Sequence, residues 1–200
     1  MMAKVKILIE GYAREIKDGW LASSTTTLIE ESGKRIIVDP GINRKLLLQK
    51  IKVEGLRSED IDIVFMTHYH PDHVFLAAIF KNALIVDGDI VYEKDKETEY
   101  KGRIPGTKVK VLATPGHAHE HTSLVVETDK GVVVVAADVF WWMDSEEQKV
   151  DDVKALLDKE DPFTKDKDAL LKSRKQVLQI ADWIIPGHGK MFRVPIGRKT

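Results

Sequence analysis

The stretch Thr67-His68-Tyr69-His70-Pro71-Asp72-His73 places three imidazoles and one carboxylate within six consecutive positions. Imidazole is the commonest protein ligand for borderline-soft divalent metals, and a carboxylate adds negative charge to such a site. The chain has seven histidines. The other four are His117, His119, His121 and His188, and both His117 and His188 directly follow a Pro-Gly pair. A lone histidine is ordinarily a surface group or a satisfied core residue. Three in one loop point instead to a metal centre. With no cysteine in the chain, thiolate ligands and disulfides are both excluded, so the donors must be nitrogen and oxygen.

The neighbouring sequence says how the loop is held. Ile61-Asp62-Ile63-Val64-Phe65-Met66 is apolar and β-branched, which predicts a buried strand running into the loop. Pro71 has no N–H to give a ladder and ends that strand. Val74 to Phe80 is apolar and predicts a short buried helix. Elsewhere the alternation of Lys4 to Glu10 predicts an edge or half-buried strand, and Gly11 to Ser24, irregular and carrying Trp20, reads as an exposed hairpin, with a wall of the site as the alternative. Thr25–Glu30 and Lys34–Val38 flank Ser32-Gly33 as a hairpin, with Asp39-Pro40-Gly41 beyond it. Asn43 caps a helix through Ile51. Further strands are expected at Ala83–Val86, Lys108–Ala113, Thr122–Thr128, Val132–Ala136 and Trp183–Ile185. Helices are expected over Glu146–Lys159 and Lys165–Ile180. Glu93 to Gly106 is highly charged and reads as a solvated loop or hairpin. Periodicity alone therefore gives a mixed α/β fold.

Two hundred residues, 43% of them hydrophobic, suffice for one domain spanning residues 1–200 with a core that needs no disulfides. The formal net charge of −1 offers no electrostatic footprint for nucleic acid. No secretory h-region or long apolar run occurs, so the expectation is a cytoplasmic protein that does not enter a membrane.

His68-x-His70-x-Asp72-His73 resembles the metal-binding signature of the metallo-β-lactamase-fold hydrolases. Val38-Asp39-Pro40-Gly41, Thr114-Pro115-Gly116-His117, Ala136-Ala137-Asp138 and Ile185-Pro186-Gly187-His188-Gly189 follow in that family's order. Ser173-Arg174-Lys175-Gln176-Val177-Leu178, Asp138-Val139-Phe140 and Phe192-Arg193-Val194 narrow the likeness to the branch of metallo-β-lactamase domain-containing protein 1. The resemblance implies a single four-layered αββα sandwich with its site at one edge, between the sheets. It implies two divalent metal ions, zinc first and iron or manganese as alternatives. His68, His70 and His117 would hold one ion; Asp72, His73 and His188 would hold the other; Asp138 would bridge them. Asp72 doubles as the catalytic residue that orients a hydroxide shared by the ions. Asp39 is expected to brace the histidine loop, and His121 to stand behind a ligand or face the substrate. For His119 a solvated position is expected.

The activity expected is hydrolysis of an ester, thioester, lactone or phosphodiester in a small-molecule or phosphodiester substrate. A ribonuclease-type phosphodiesterase is the alternative, since the neighbour most resembled is described as acting on pre-mRNA ends. A metal-binding protein without turnover is the alternative from another class. Trp141 and Trp142 are read as lining the pocket mouth or packing in the core or an interface; with Phe140 they make a large apolar cluster that favours a homodimer, which the resemblance also suggests.

Overall fold

The computed structural model describes residues 2–195. Numbered in chain order, the strands are β1 (Lys4–Ile9), β2 (Tyr12–Ile16), β3 (Gly19–Ser23), β4 (Thr26–Glu31), β5 (Lys34–Val38), β6 (Ile63–Phe65), β7 (Leu84–Val86), β8 (Ile90–Glu93), β9 (Lys96–Glu99), β10 (Lys110–Ala113), β11 (Thr122–Thr128), β12 (Gly131–Ala137), β13 (Trp183–Pro186) and β14 (Phe192–Arg193). The helices are α1 (Arg44–Val53), α2 (Pro71–Val74), α3 (Val153–Asp158) and α4 (Lys167–Ile180). One sheet has the order β1-β4-β5-β6-β7-β8-β9 and the other β10-β11-β12-β13-β14; β2 and β3 pair separately.

The period of two along each strand sorts the side chains into layers. Ile36 and Val38 of β5 face the second sheet, where Val133 and Val135 of β12 and Leu124 of β11 meet them. Ile37, between them, faces the other way and packs with Leu47 and Ile51 of α1. Val134 and Ala136 of β12 likewise turn outward onto Leu170, Val177 and Leu178 of α4. Three apolar layers thus separate α1, two sheets and the α3/α4 pair, which is the αββα sandwich. No helix among the described residues is long and apolar enough to cross a membrane.

Strand direction positions the site. β5, β6 and β7 are parallel to one another, as are β12 and β13. Asp39 follows β5, the histidine loop follows β6, Asp138 follows β12 and His188 follows β13. All four therefore lie at carboxyl ends of parallel strands, where open α/β sheets place their ligands.

Three elements differ from the sequence expectation. The helix after the histidine loop begins earlier, at Pro71, because proline is preorganised for a first helical turn and needs no N–H there. It then stops at Val74, and the Leu76 N–H goes to the Gly41 carbonyl (3.1 Å). The helix expected from Glu146 begins only at Val153, capped by Asp152. Upstream, Gln148 instead exchanges two hydrogen bonds with the Lys190 backbone (2.6 and 2.8 Å), a tertiary pairing that outweighs helical spacing. Phe140, Trp141 and Trp142 are only 0%, 3% and 4% exposed. The patch expected to favour a homodimer is therefore interior, with Phe140 and Trp142 packed on Phe192.

Candidate metal centre

Asp39 fixes the histidine loop. Its backbone is left-handed (φ +48°), a conformation aspartate tolerates better than most residues. From there its carboxylate accepts the Thr67 N–H (2.9 Å), the Thr67 hydroxyl (2.8 Å) and the His73 Nδ1–H (2.9 Å). One buried side chain thus ties both ends of the loop. The other edge is held by the backbone, with Ser24 N–H on the Asp72 carbonyl (3.0 Å) and Gly41 N–H on the His73 carbonyl (2.9 Å).

Asp138 is aimed by Ala137, which also has positive φ (+44°). Gly187 lies directly beneath its carboxylate, and a Cβ there would sit 1.7 Å from Asp138 Oδ1. α4 secures the remaining loops. Gly116 packs so tightly on Leu170 that a Cβ would lie 2.3 Å from the Leu170 nitrogen. The Ser173 hydroxyl donates to the Pro115 carbonyl (2.7 Å), and buried Arg174 donates through Nε to the Val139 carbonyl (3.0 Å). Ser173 and Arg174, part of the narrowing C-terminal motif, therefore hold the segments that carry His117 and Asp138.

The inward atoms form two groups, His68-His70-His117-Asp138 and Asp72-His73-His188, each with its ligand atoms within 4.8 Å of one another. The two oxygens of Asp138 divide between them. Oδ2 lies 3.1 Å from His117 Nε2 and 3.7 Å from His68 Nε2. Oδ1 lies 3.3 Å from His73 Nε2 and 3.8 Å from His188 Nε2. Asp72 Oδ2 is 3.2 Å from His188 Nε2, and His70 Nδ1 is 3.0 Å from His117 Nε2.

The outward nitrogens fix the tautomers. Nδ1 of His73, His117 and His188 meets Asp39, Asp161 and the Tyr12 carbonyl, at 2.9, 2.8 and 3.1 Å. These oxygens only accept, so Nδ1 carries the proton and a neutral ring presents its Nε2 lone pair inward. His68 Nδ1 pairs with the Thr67 hydroxyl at 3.0 Å; that hydroxyl donates onward to Asp39 and so accepts from the ring. Buried His68 Nε2, His73 Nε2 and Asp138 Oδ1 have no hydrogen-bond partner. Buried polar atoms normally have one, and lone pairs converging without donors are the chemistry a divalent cation satisfies.

The buried carboxylates also draw protons toward these inward positions: against the effect of burial, Asp138 and Asp39 raise the His73 pKa well above the ordinary histidine value. Burial works against the Asp138 carboxylate, but the His73 and His117 imidazoles outweigh it and hold its pKa well below the usual range. Burial also opposes the charged form of His117, yet Asp138 and Asp161 raise it to about 9. His68, buried and beside His73, is held well below the ordinary histidine value. Metal binding would displace the protons that Asp138 otherwise attracts.

All seven expected ligands converge here. Asp39 lies beneath the loop, hydrogen-bonded to Thr67 and His73. His119 is exposed. His121 does not line the open cleft. It is buried beside His68, with ring centroids 4.9 Å apart and Nδ1 3.0 Å from the Thr114 hydroxyl. Burial lowers its pKa to about 3. Sequence reasoning passed over Asp161 and the Tyr12 carbonyl, the latter having no sequence signal. The cleft itself is a cavity of about 460 Å³, floored by His70, Asp72, His117, Asp138 and His188 and walled by Trp20, Ile42, Trp141 and Phe163.

Residues 19–111 match the metallo-beta-lactamase superfamily. Metallo-beta-lactamase domain-containing protein 1 of Mus musculus is 36% identical, over 94% of this chain and 74% of its own length. The Xenopus laevis protein of that name is 33% identical over 95% and 81%. A Thermotoga maritima structure of the metallo-beta-lactamase kind superposes with a TM-score of 0.71 at 23% identity, covering 96% of this chain and 100% of its own. AidC, a dizinc quorum-quenching lactonase, gives 0.58 at 16% identity, covering 89% and 81%. At these identities the two structures speak to the fold alone.

Proposed function

Because the chain belongs to the metallo-β-lactamase superfamily, we propose that its histidine–aspartate cluster is the two-metal centre of a hydrolase. His68, His70 and His117 would hold one ion, Asp72, His73 and His188 would hold the second, and Asp138 would serve both. The observation that carries this reading is the division of the Asp138 oxygens, Oδ2 toward the first group and Oδ1 toward the second. The donor set is nitrogen and oxygen only. That suits zinc, with iron and manganese as the alternatives.

Bound divalent cations supply Lewis acidity, which polarises the scissile bond and lowers the pKa of water toward about 7. The chain's own groups do the rest. Asp39, Asp161, Thr67 and the Tyr12 carbonyl hold the ring orientations, so no tautomer change is needed before a cation binds. Asp72 lies at the cleft floor with its side chain 25% exposed. Its carboxylate is held acidic by His188 against the opposing effect of burial. It is therefore ionised at neutral pH, and it is the group we assign to orient the attacking water. The bond cleaved is an ester, thioester, lactone or phosphodiester.

The test is turnover of p-nitrophenyl acetate and bis(p-nitrophenyl) phosphate before chelation, after it, and after adding zinc, iron(II) or manganese back. Activity on either substrate that disappears on chelation and returns with metal is the expected result. Metal-loaded protein that hydrolyses neither would refute the reading.

A further inference from the structure

The walls of the cleft narrow the substrate. Trp20, near the turn of the separate β2–β3 hairpin, meets Phe163 edge-on (centroids 6.1 Å, 74°). Phe163 continues onto Trp141 (5.7 Å), and Trp141 onto the ring of His188 (6.0 Å). An unbroken aromatic run therefore leads from the rim of the cleft to the ligand cluster. Trp20, Phe163 and Ile42 remain 50%, 45% and 40% exposed. Large apolar side chains left facing solvent around a concave site mark where apolar matter binds.

Charge points the same way. Among the described residues no lysine or arginine lines the cavity. Lys159 is close to one wall but committed, with its ammonium over the Trp141 ring (5.3 Å), 3.1 Å from Glu146 and bonded to the Glu160 carbonyl. Binding to a nucleic-acid backbone rests on lysine and arginine neutralising phosphates, and this cleft offers none.

Resting on the hydrolase reading, we infer that the substrate is an uncharged ester, thioester or lactone whose acyl or aryl substituent lies along the Trp20–Phe163–Trp141 wall. Trp20 is the residue that sets the preferred size of that substituent. Burying one methylene contributes about 0.8 kcal/mol, or about fourfold in binding. The hairpin is otherwise largely solvent-facing near Trp20, so trimming this side chain changes the wall without disturbing the core.

The experiment measures kcat/KM of the metal-loaded protein on p-nitrophenyl acetate, butanoate, hexanoate and octanoate, and on bis(p-nitrophenyl) phosphate. In parallel, tryptophan fluorescence follows titration with the N-methylamides of the same acids and with a single-stranded RNA decamer. Both ester kcat/KM and amide affinity are expected to rise by about two- to fourfold per methylene, with no RNA binding at micromolar concentration. Trp20→Ala is expected to cut the octanoate-to-acetate ratio by about tenfold or more while its urea midpoint stays at the parental value. A chain-length profile that is flat, a ratio unmoved by Trp20→Ala, or micromolar RNA binding would overturn the inference while metal-dependent turnover still upheld the hydrolase reading. Absence of metal-dependent turnover on every ester and on the phosphodiester would overturn both.

Discussion

Replacing Asp39 separates loop bracing from folding. The carboxylate accepts from three donors. The Thr67 hydroxyl keeps His68 Nδ1 as a partner if Asp39 is removed. The Thr67 N–H and the His73 Nδ1–H do not, and both residues are buried. An orphaned buried donor costs about 1–3 kcal/mol, so Asp39→Ala loses about 2–6 kcal/mol. Alanine in left-handed backbone adds about 1 kcal/mol. Against a typical total of about 5–15 kcal/mol, the variant should fold but unfold at a much lower urea concentration. Asp39→Asn is the informative partner. Asparagine tolerates the same backbone, and its amide oxygen can keep the Thr67 N–H. Its NH₂ then faces His73 Nδ1, which must accept, and this moves the ring proton to the inward Nε2. Asp39→Asn should therefore recover much of the lost stability yet bind metal about 10–100-fold more weakly than the parent. Urea unfolding and chelator-competition titration on both variants give the two numbers. An Asn variant that binds metal as tightly as the parent would refute the argument that Asp39 sets the His73 tautomer.

Asp161→Ala should weaken metal binding by about 10–100-fold through loss of the His117 Nδ1 anchor, measured by the same competition; parental affinity would reduce Asp161 to a turn former. Gly187→Ala places a carbon 1.7 Å from Asp138 Oδ1, where carbon contacts normally begin near about 3.5 Å. The carboxylate must move by more than about 1 Å, and a displacement of that size can lower turnover about 100-fold with circular dichroism unchanged; normal turnover would show that the carboxylate has room to move. His119→Ala, at an exposed position, should leave metal content and turnover within about twofold, and a larger loss would assign His119 a role the geometry does not give it.

Much of this was legible in the sequence because its signals are local. Period-two runs such as Ile36-Ile37-Val38 and Val133-Val134-Val135-Ala136 name both faces of a buried strand, and several of the candidate ligands sit immediately beyond such strands. What escaped was long-range. Asp161 meets His117 across 44 positions, and Gln148 meets Lys190 across 42. Nothing in local spacing announces either pair. Phe140, Trp141 and Trp142 misled for a related reason. An apolar run does not say whether its cover comes from the same chain or another, and here Phe192 and Phe163 supply part of it.

The central claim is that one carboxylate serves two ions, and metal counting on Asp138→Asn tests it most directly. A carboxylate between two cations offsets a repulsion that is large at short range. The amide keeps the shape and loses the charge. Elemental analysis of the parent should give close to two ions per chain, one for each group of ligands. Asp138→Asn should retain about one, held by the neutral imidazoles of His68, His70 and His117, and should lose hydrolysis by several orders of magnitude. Two tightly held ions in Asp138→Asn with near-parental turnover, or a gently purified parent that binds no transition metal, would contradict the account.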